Sequence, residues 1–324
     1  MIHLPEFPHY MKEASRRQKG QNWFIELLIF FLVYFVVSTA MSFVLLAGMI
    51  AVFLSDRGLF LAFSEPGNPK QVAAFVNSLM ESDPLMLVSL FSNAVMIFLV
   101  ILFCVIIQKR TVASMGFVRA KALRHYLAGA GIGFLLFGAV TLLNVLTGSL
   151  TIEGISITFS PLMFILFALA FGIQGMAEEV LCRGYFMVSI GRRYPVIIAI
   201  LLNSLVFALL HLLNPGVSLI AIVNIMLVGI VFSIYFLRTG NIWGVGAMHS
   251  VWNFVQGNVF GMEVSGMKFS CTLFASAADP EKTFWNGGSF GAEGGFSVTI
   301  VLIAALLLLL LIPRKAACDK PRGV

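Results

Sequence analysis

Three short patterns place polar side chains inside runs that are otherwise apolar. Glu178-Glu179-Val180-Leu181-Cys182-Arg183 carries two adjacent carboxylates and a guanidinium. Phe207-Ala208-Leu209-Leu210-His211 carries an aromatic ring and an imidazole, and His249-Ser250-Val251-Trp252-Asn253 an imidazole and a carboxamide. Residues at i and i+4 share a face of a helix, so Glu179 can pair with Arg183, Phe207 walls His211, and His249 and Asn253 point one way. Glu178 is turned about 100° away from Glu179 and has no evident local partner. Adjacent carboxylates in a low-dielectric site disfavour each other's ionisation, which suits one of them to act as a general base near neutral pH. A carboxylate and an imidazole can hold and deprotonate a water. A second imidazole and a carboxamide can donate hydrogen bonds to a developing oxyanion. Those are the parts of a peptide hydrolase. Two histidines and a glutamate are also a set of three protein ligands for catalytic zinc, and the residue types alone leave both chemistries open.

The elements that must position these groups are membrane helices. Of 324 residues, 59% are hydrophobic and 11% charged, with a mean hydropathy of +0.97. Soluble domains average about 45–50% apolar and about 25% charged. This composition excludes an ordinary soluble enzyme, a disordered chain and a fibrous repeat. The apolar runs are far longer than the roughly 10-residue strands of a membrane barrel. The expected fold is therefore all-α, a polytopic membrane helical bundle of about eight transmembrane helices, at roughly 23–54, 85–107, 125–147, 160–182, 195–213, 217–237, 241–260 and 295–313. Residues 1–22 read as a cytoplasmic N-terminal segment, 23–313 as the bundle and 314–324 as a cytoplasmic tail. With the N-terminus inside, only Arg57, Lys70, Lys268 and Lys282 fall in outer loops, and the other 17 of the 21 basic residues lie inside. That asymmetry places both termini in the cytoplasm. It also explains the net charge of +6 without nucleic acid.

An ionisable group at the bilayer centre costs roughly 2.5–3.5 kcal/mol even on the lenient scale. A set spread over three helices therefore points to chemistry more than to architecture. Other polar residues read as structural. Glu26 lies near the end of the first span and reads as a boundary residue. Asn93, Asn144, Gln174, Asn203 and Asn224 read as helix-to-helix bonds. Gly129 and Gly133 form a GxxxG in the third span, the pattern of close helix packing. The outer loops at about 55–84 and 261–294 read as connectors, although the Gly-rich second one could also cover a cavity mouth. Four cysteines form no disulfide scaffold or metal motif, and no phosphate loop or HExxH is present.

Glu178-Glu179-x-x-x-Arg183, Phe207-x-x-x-His211 and His249-x-x-x-Asn253 resemble, in order and spacing, the three motifs of the CPBP family. That family comprises the type II CAAX prenyl endopeptidases and the bacteriocin-processing and immunity proteins. The resemblance covers about residues 160–260 and implies an all-helical intramembrane protease core. It implies that Glu178 and His211 activate water, that His249 and Asn253 form the oxyanion side, and that Glu179 and Arg183 support the site. It implies a membrane-embedded or membrane-associated peptide substrate, and a place in a membrane such as the bacterial cell membrane. No cofactor is favoured; zinc held by Glu178, His211 and His249 is the alternative. Other readings are a non-proteolytic immunity or scaffold protein that keeps the motifs, and a transporter. One expectation strains the span assignment. His211 falls near the outer end of the fifth span and Glu178 nearer the inner side of the fourth. They meet only if the fourth helix runs past Arg183 or the fifth stops within the bilayer, which Asn214-Pro215-Gly216 permits.

Overall fold

A computed structural model describes residues 6–17, 19–55, 79 and 82–313. Most of the first outer loop, and the tail from residue 314, lie outside the described residues. All eight expected segments are helical. Helices α2 (Trp23–Ser55), α3 (Asp83–Ile106) and α4 (Ala122–Leu146) follow a short α1 (His9–Arg17). Next come α5 (Pro161–Glu179), α6 (Val196–Leu209), α7 (Leu219–Thr239), α8 (Ile242–Phe254) and α9 (Phe296–Leu311). Five are long and apolar enough to cross a membrane: α2, α3, α4, α7, and α5 together with its continuation to Gly191. Helices α6, α8 and α9 are shorter, so among the described residues the eight expected segments appear as eight helices, of which five reach spanning length.

The inequality resolves the conflict over His211. The fourth span begins at Pro161, which tolerates the first turn because its missing N–H would have no partner there. It does not end at residue 182. It passes into a wide π-helical turn over Val180–Met187 and continues to Gly191, 31 residues in all. At about 1.5 Å per residue that is about 46 Å, beyond the roughly 30 Å of hydrocarbon. Helix α6 has 14 residues, about 21 Å, and so ends short of a full crossing. The fourth helix runs on and the fifth stops early. Both adjustments move Glu178 and His211 toward the same level.

Helix α8 is the axis of the arrangement. It is buried along nearly its whole length, and a helix apolar on almost every side belongs in an interior, with His249 and Asn253 turned to an internal cavity. The turn before it is set by sequence: Gly240 takes a left-handed φ of 63°, and the Asn241 side chain accepts from Trp243 N–H at 3.0 Å. Gly129 and Gly133 bring α4 against it, because a Cβ at either would strike the carbonyls of Gly244 and Met248. The packing expected of the GxxxG is what the structure has. Gly175 does the same on α5, against the backbone of Ser250. Helix α2 turns Glu26, Phe30, Val33 and Val37 inward, while Leu28, Leu32, Phe35 and Phe43 stay exposed on its outer side.

Two strands depart from a purely helical fold. β1 (Leu150–Ile155) pairs antiparallel with β2 (Phe274–Ala278), from Leu150 opposite Ala278 to Ile155 opposite Phe274. The ribbon ties the loop after α4 to the long loop after α8. Asn258 Nδ2 donates to the Cys271 carbonyl at 2.7 Å, and Asn286 Nδ2 donates to the carbonyls of Ser149 and Asp279 at 2.9 and 2.8 Å. Gly291 adopts φ 89°, and a Cβ there would strike the Glu263 carbonyl. The second long loop is thus a folded lid over the end of α8, the cavity-covering option of the sequence reading.

Candidate active site

The wide turn begins directly after the two glutamates, and the pair divides in function of place. The Glu179 side chain is fully buried. Its Oε1 accepts from Arg183 Nη1 at 2.7 Å and from His249 Nδ1 at 2.8 Å. Arg183 spends its other arm on the Gly229 carbonyl at 3.1 Å, and its guanidinium lies 4.6 Å from the Phe207 ring centre. The i, i+4 pair is therefore present, and it reaches across to the third motif. Glu178 is 24% exposed at its side chain, and its Oε2 stands 3.7 Å from His249 Nε2, too far for a hydrogen bond. Its Oε1 accepts from the Gln174 amide, whose own oxygen accepts from Asn253 Nδ2 at 3.0 Å.

His211 lies just beyond α6. Its Nδ1 is 2.8 Å from the Phe207 carbonyl. A carbonyl only accepts, so Nδ1 carries the proton and Nε2 keeps a lone pair. The Phe207 ring stands edge-on to both imidazoles, 4.9 Å from His211 and 6.0 Å from His249. The aromatic wall expected of the second motif thus serves two histidines.

A cavity of about 400 Å³ joins the motifs. Glu178, Phe207, His211, His249 and Asn253 all line it; Glu179 and Arg183 stand behind it. The structure therefore gathers the four candidate catalytic residues around one space. Glu178 is in near contact with His249, and it shares only the cavity with His211.

Some residues escaped the sequence reading. Gln174 makes the expected helix-to-helix bond, from α5 to Asn253 of α8, but it also lines the cavity and bridges to Glu178. Asn93 lines the cavity too and bonds only within its own helix. Asn144, Asn203 and Asn224 do serve as internal braces, bonding Ser297, Ser233 and the carbonyls of Glu293 and Gly295. Glu293, from the folded lid, also lines the cavity. Nothing in its Gly-rich surroundings signals that; only the tight fold of the loop brings it in. Glu26 keeps its boundary position in the first turn of α2, but it is buried there and pairs with Arg192 at 3.1 Å. Arg110, counted in the sequence as an inner-loop charge, is buried and donates to the Gly184 and Tyr185 carbonyls of the wide turn at 2.7 and 3.2 Å. Burial lowers its guanidinium from the ordinary value.

The zinc alternative meets a geometric difficulty. Among the described residues no three His, Cys, Asp or Glu side chains are grouped so as to hold an ion. Nδ1 of His249 is held by Glu179 and Nδ1 of His211 by a carbonyl, which leaves Nε2 on each ring and is also how a metal-ligating imidazole is oriented; the difficulty is one of grouping. As arranged, Glu178, His211 and His249 are not drawn together around one point.

Residues 158–255 match the model of a protein family described as Type II CAAX prenyl endopeptidase Rce1-like. The matched stretch contains all three motifs and the four cavity residues just described, so the resemblance read from the motifs holds there. It is a family of membrane proteases. No curated protein and no solved structure matches the chain.

Proposed function

We propose that this chain is an intramembrane endopeptidase that hydrolyses a peptide bond in a membrane-embedded or membrane-associated peptide, by water activated without a metal. The observation that carries the reading is Glu178. It is the carboxylate of the pair that no guanidinium neutralises, and it faces a cavity shared with two imidazoles and a carboxamide. Glu178 takes a proton from a water that His211 Nε2 helps to orient, and the water oxygen bonds to the carbonyl carbon. His249 is held through Nδ1 by Glu179. Protonated at Nε2, it donates to the oxyanion together with the Asn253 N–H that Gln174 leaves free. The proton held by Glu178 then passes to the departing amine as the C–N bond breaks. Comparing the peptides released in membranes by the wild type and by Glu178→Gln tests this: products present only with the wild type support it, and identical profiles refute it.

The positive-inside asymmetry supports placing both termini in the cytoplasm. Reporter fusions after residues 120 and 320 should read as internal, and an external signal at either would overturn the orientation.

A further inference from the structure

We infer that the α3 wall of the cavity is a site for substrate backbone: Asn93 and Ser89 accept two N–H groups from one edge of an extended peptide whose attacked carbonyl faces His249 and Asn253. The inference rests on the proposed endopeptidase reading, and it adds residues that lie outside the matched stretch 158–255. Asn93 lines the cavity and is 8% exposed. Its Nδ2 donates to the Ser89 and Leu90 carbonyls at 3.2 and 3.1 Å. Carbonyls only accept, so the amide nitrogen is fixed toward its own helix and Oδ1 is left on the other side. Among the described residues Oδ1 has no hydrogen-bond partner. Nor has the hydroxyl of Ser89, which lines the same cavity. Both oxygens can accept from a ligand N–H.

The spacing fits an extended chain. Ser89 and Asn93 are i and i+4, on one face of α3 and about 6 Å apart along its axis. In an extended chain each residue turns its N–H and C=O to one edge, and its neighbours turn theirs to the other. The N–H groups on one edge therefore recur every two residues, about 6.6 Å apart. Helix α3 packs on α2 and α5, and α8 on α4 and α5, so the two line one cavity without packing on each other. A peptide whose attacked carbonyl meets His249 and Asn253 on α8 turns the N–H groups of the two flanking residues the opposite way, toward α3. Left unbonded in a poorly solvated space, each would be costly. A helical peptide has no such groups to offer, because its N–H donors are already paired internally. The wall therefore selects an unwound segment, whatever its side chains.

The test removes single N–H groups from the ligand. The probe is a palmitoylated, fluorescein-labelled peptide of alternating Gly and Val, made as a series in which one backbone N–H at a time is replaced by an ester oxygen. Binding to the full-length Glu178→Gln protein in lipid nanodiscs is read by fluorescence anisotropy, so no cleavage is needed. Esters at two alternate positions should each weaken binding by about fivefold, the size of one hydrogen bond. The ester between them, whose N–H faces α8, should be indifferent to changes on α3. Sensitivity at one of the two positions should vanish when Asn93→Leu is added, and at the other when Ser89→Ala is added. Neither substitution strands a partner on another helix, and the ratio of ester to parent peptide within each folded variant cancels any general loss of affinity. A flat scan, or a scan unchanged by both substitutions, would overturn the inference. Wild-type protein is given the parent peptide in parallel, with products read by mass spectrometry. The alternate pattern in a peptide that is not cleaved would support the site independently of the protease reading. Cleavage together with a scan that ignores both substitutions would keep that reading and remove the site.

Discussion

Two buried guanidinium centres flank the wide turn of the fourth span, and they are built to opposite ends. On one side Arg110 donates to Ser114, Gln108, Ser189 and the carbonyls of Gly184 and Tyr185, with Glu26 and Arg192 paired nearby. None of these residues lines the central cavity. On the other side Arg183 and Glu179 are equally buried, yet their network ends on His249, whose second nitrogen looks toward Glu178 and the open space. Buried charge alone therefore does not mark a reactive site. The first centre fastens helices; the second fastens one group so that its neighbour can remain incompletely paired. The difference lies in where the chain of hydrogen bonds stops.

The sharpest break of that comparison is Glu178→Gln. It should lower cleavage by about 10²–10⁴-fold, the usual contribution of a general base, with the melting temperature unchanged. An activity loss that tracks unfolding would instead place Glu178 among the fasteners. Next come Glu179→Gln and Arg183→Gln, each of which strands a buried charge and should cost about 3–5 kcal/mol of stability. Thermal unfolding in detergent reads this out, and a small shift would mean the pair is more solvated than the geometry indicates. Arg110→Gln should cost less, about 1.5–3 kcal/mol, while cleavage per folded molecule persists. A specific loss of turnover in that variant would erase the distinction between the two centres. The smallest expected effect is that of chelation. Prolonged treatment should leave cleavage nearly intact and elemental analysis should find no stoichiometric zinc; one zinc per chain lost and restored with activity would reassign His211, His249 and one glutamate as ligands.

Much of this was legible in the amino-acid sequence because cost made it so. Seven residues in three motifs stood out against apolar helices, and the structure brings five of them to one cavity and sets Glu179 and Arg183 behind it. The GxxxG was readable because a missing Cβ has one main use between helices. Helix boundaries were not readable near residues 183–217. A π-helical turn has no compositional mark, and Leu210, Leu212 and Leu213 look as apolar as the helix they follow although they lie outside it. The inward face of α2 was hidden for a related reason: lipid and core both select apolar side chains, so periodicity carries little signal. Glu293, Glu26 and Arg110 could not be assigned because their partners, Ser265, Arg192 and Gly184 among them, are distant in sequence or come from an irregular loop.

The wide turn also sets a tolerance limit on the chain itself. A π-type turn closes i to i+5 and so holds one residue more than an α-turn. It lets the two halves of one span keep independent rotational phases. The stretch before it is locked to α8 through Gly175, and the stretch after it is anchored at Ser189 by Arg110 and Gln108. Removing one residue from Val180–Met187 leaves an α-turn that closes the same span, whereas removing one from the regular helix before it twists one half by about 100° relative to the other. No candidate catalytic atom would be lost, yet either the glutamates would swing off the cavity or the Arg110 anchor would break. Single-residue deletions scanned along Pro161–Gly191 should therefore be worst in the regular helix and mildest inside the turn at positions other than Arg183, and a flat profile would show that the two phases are not separately fixed.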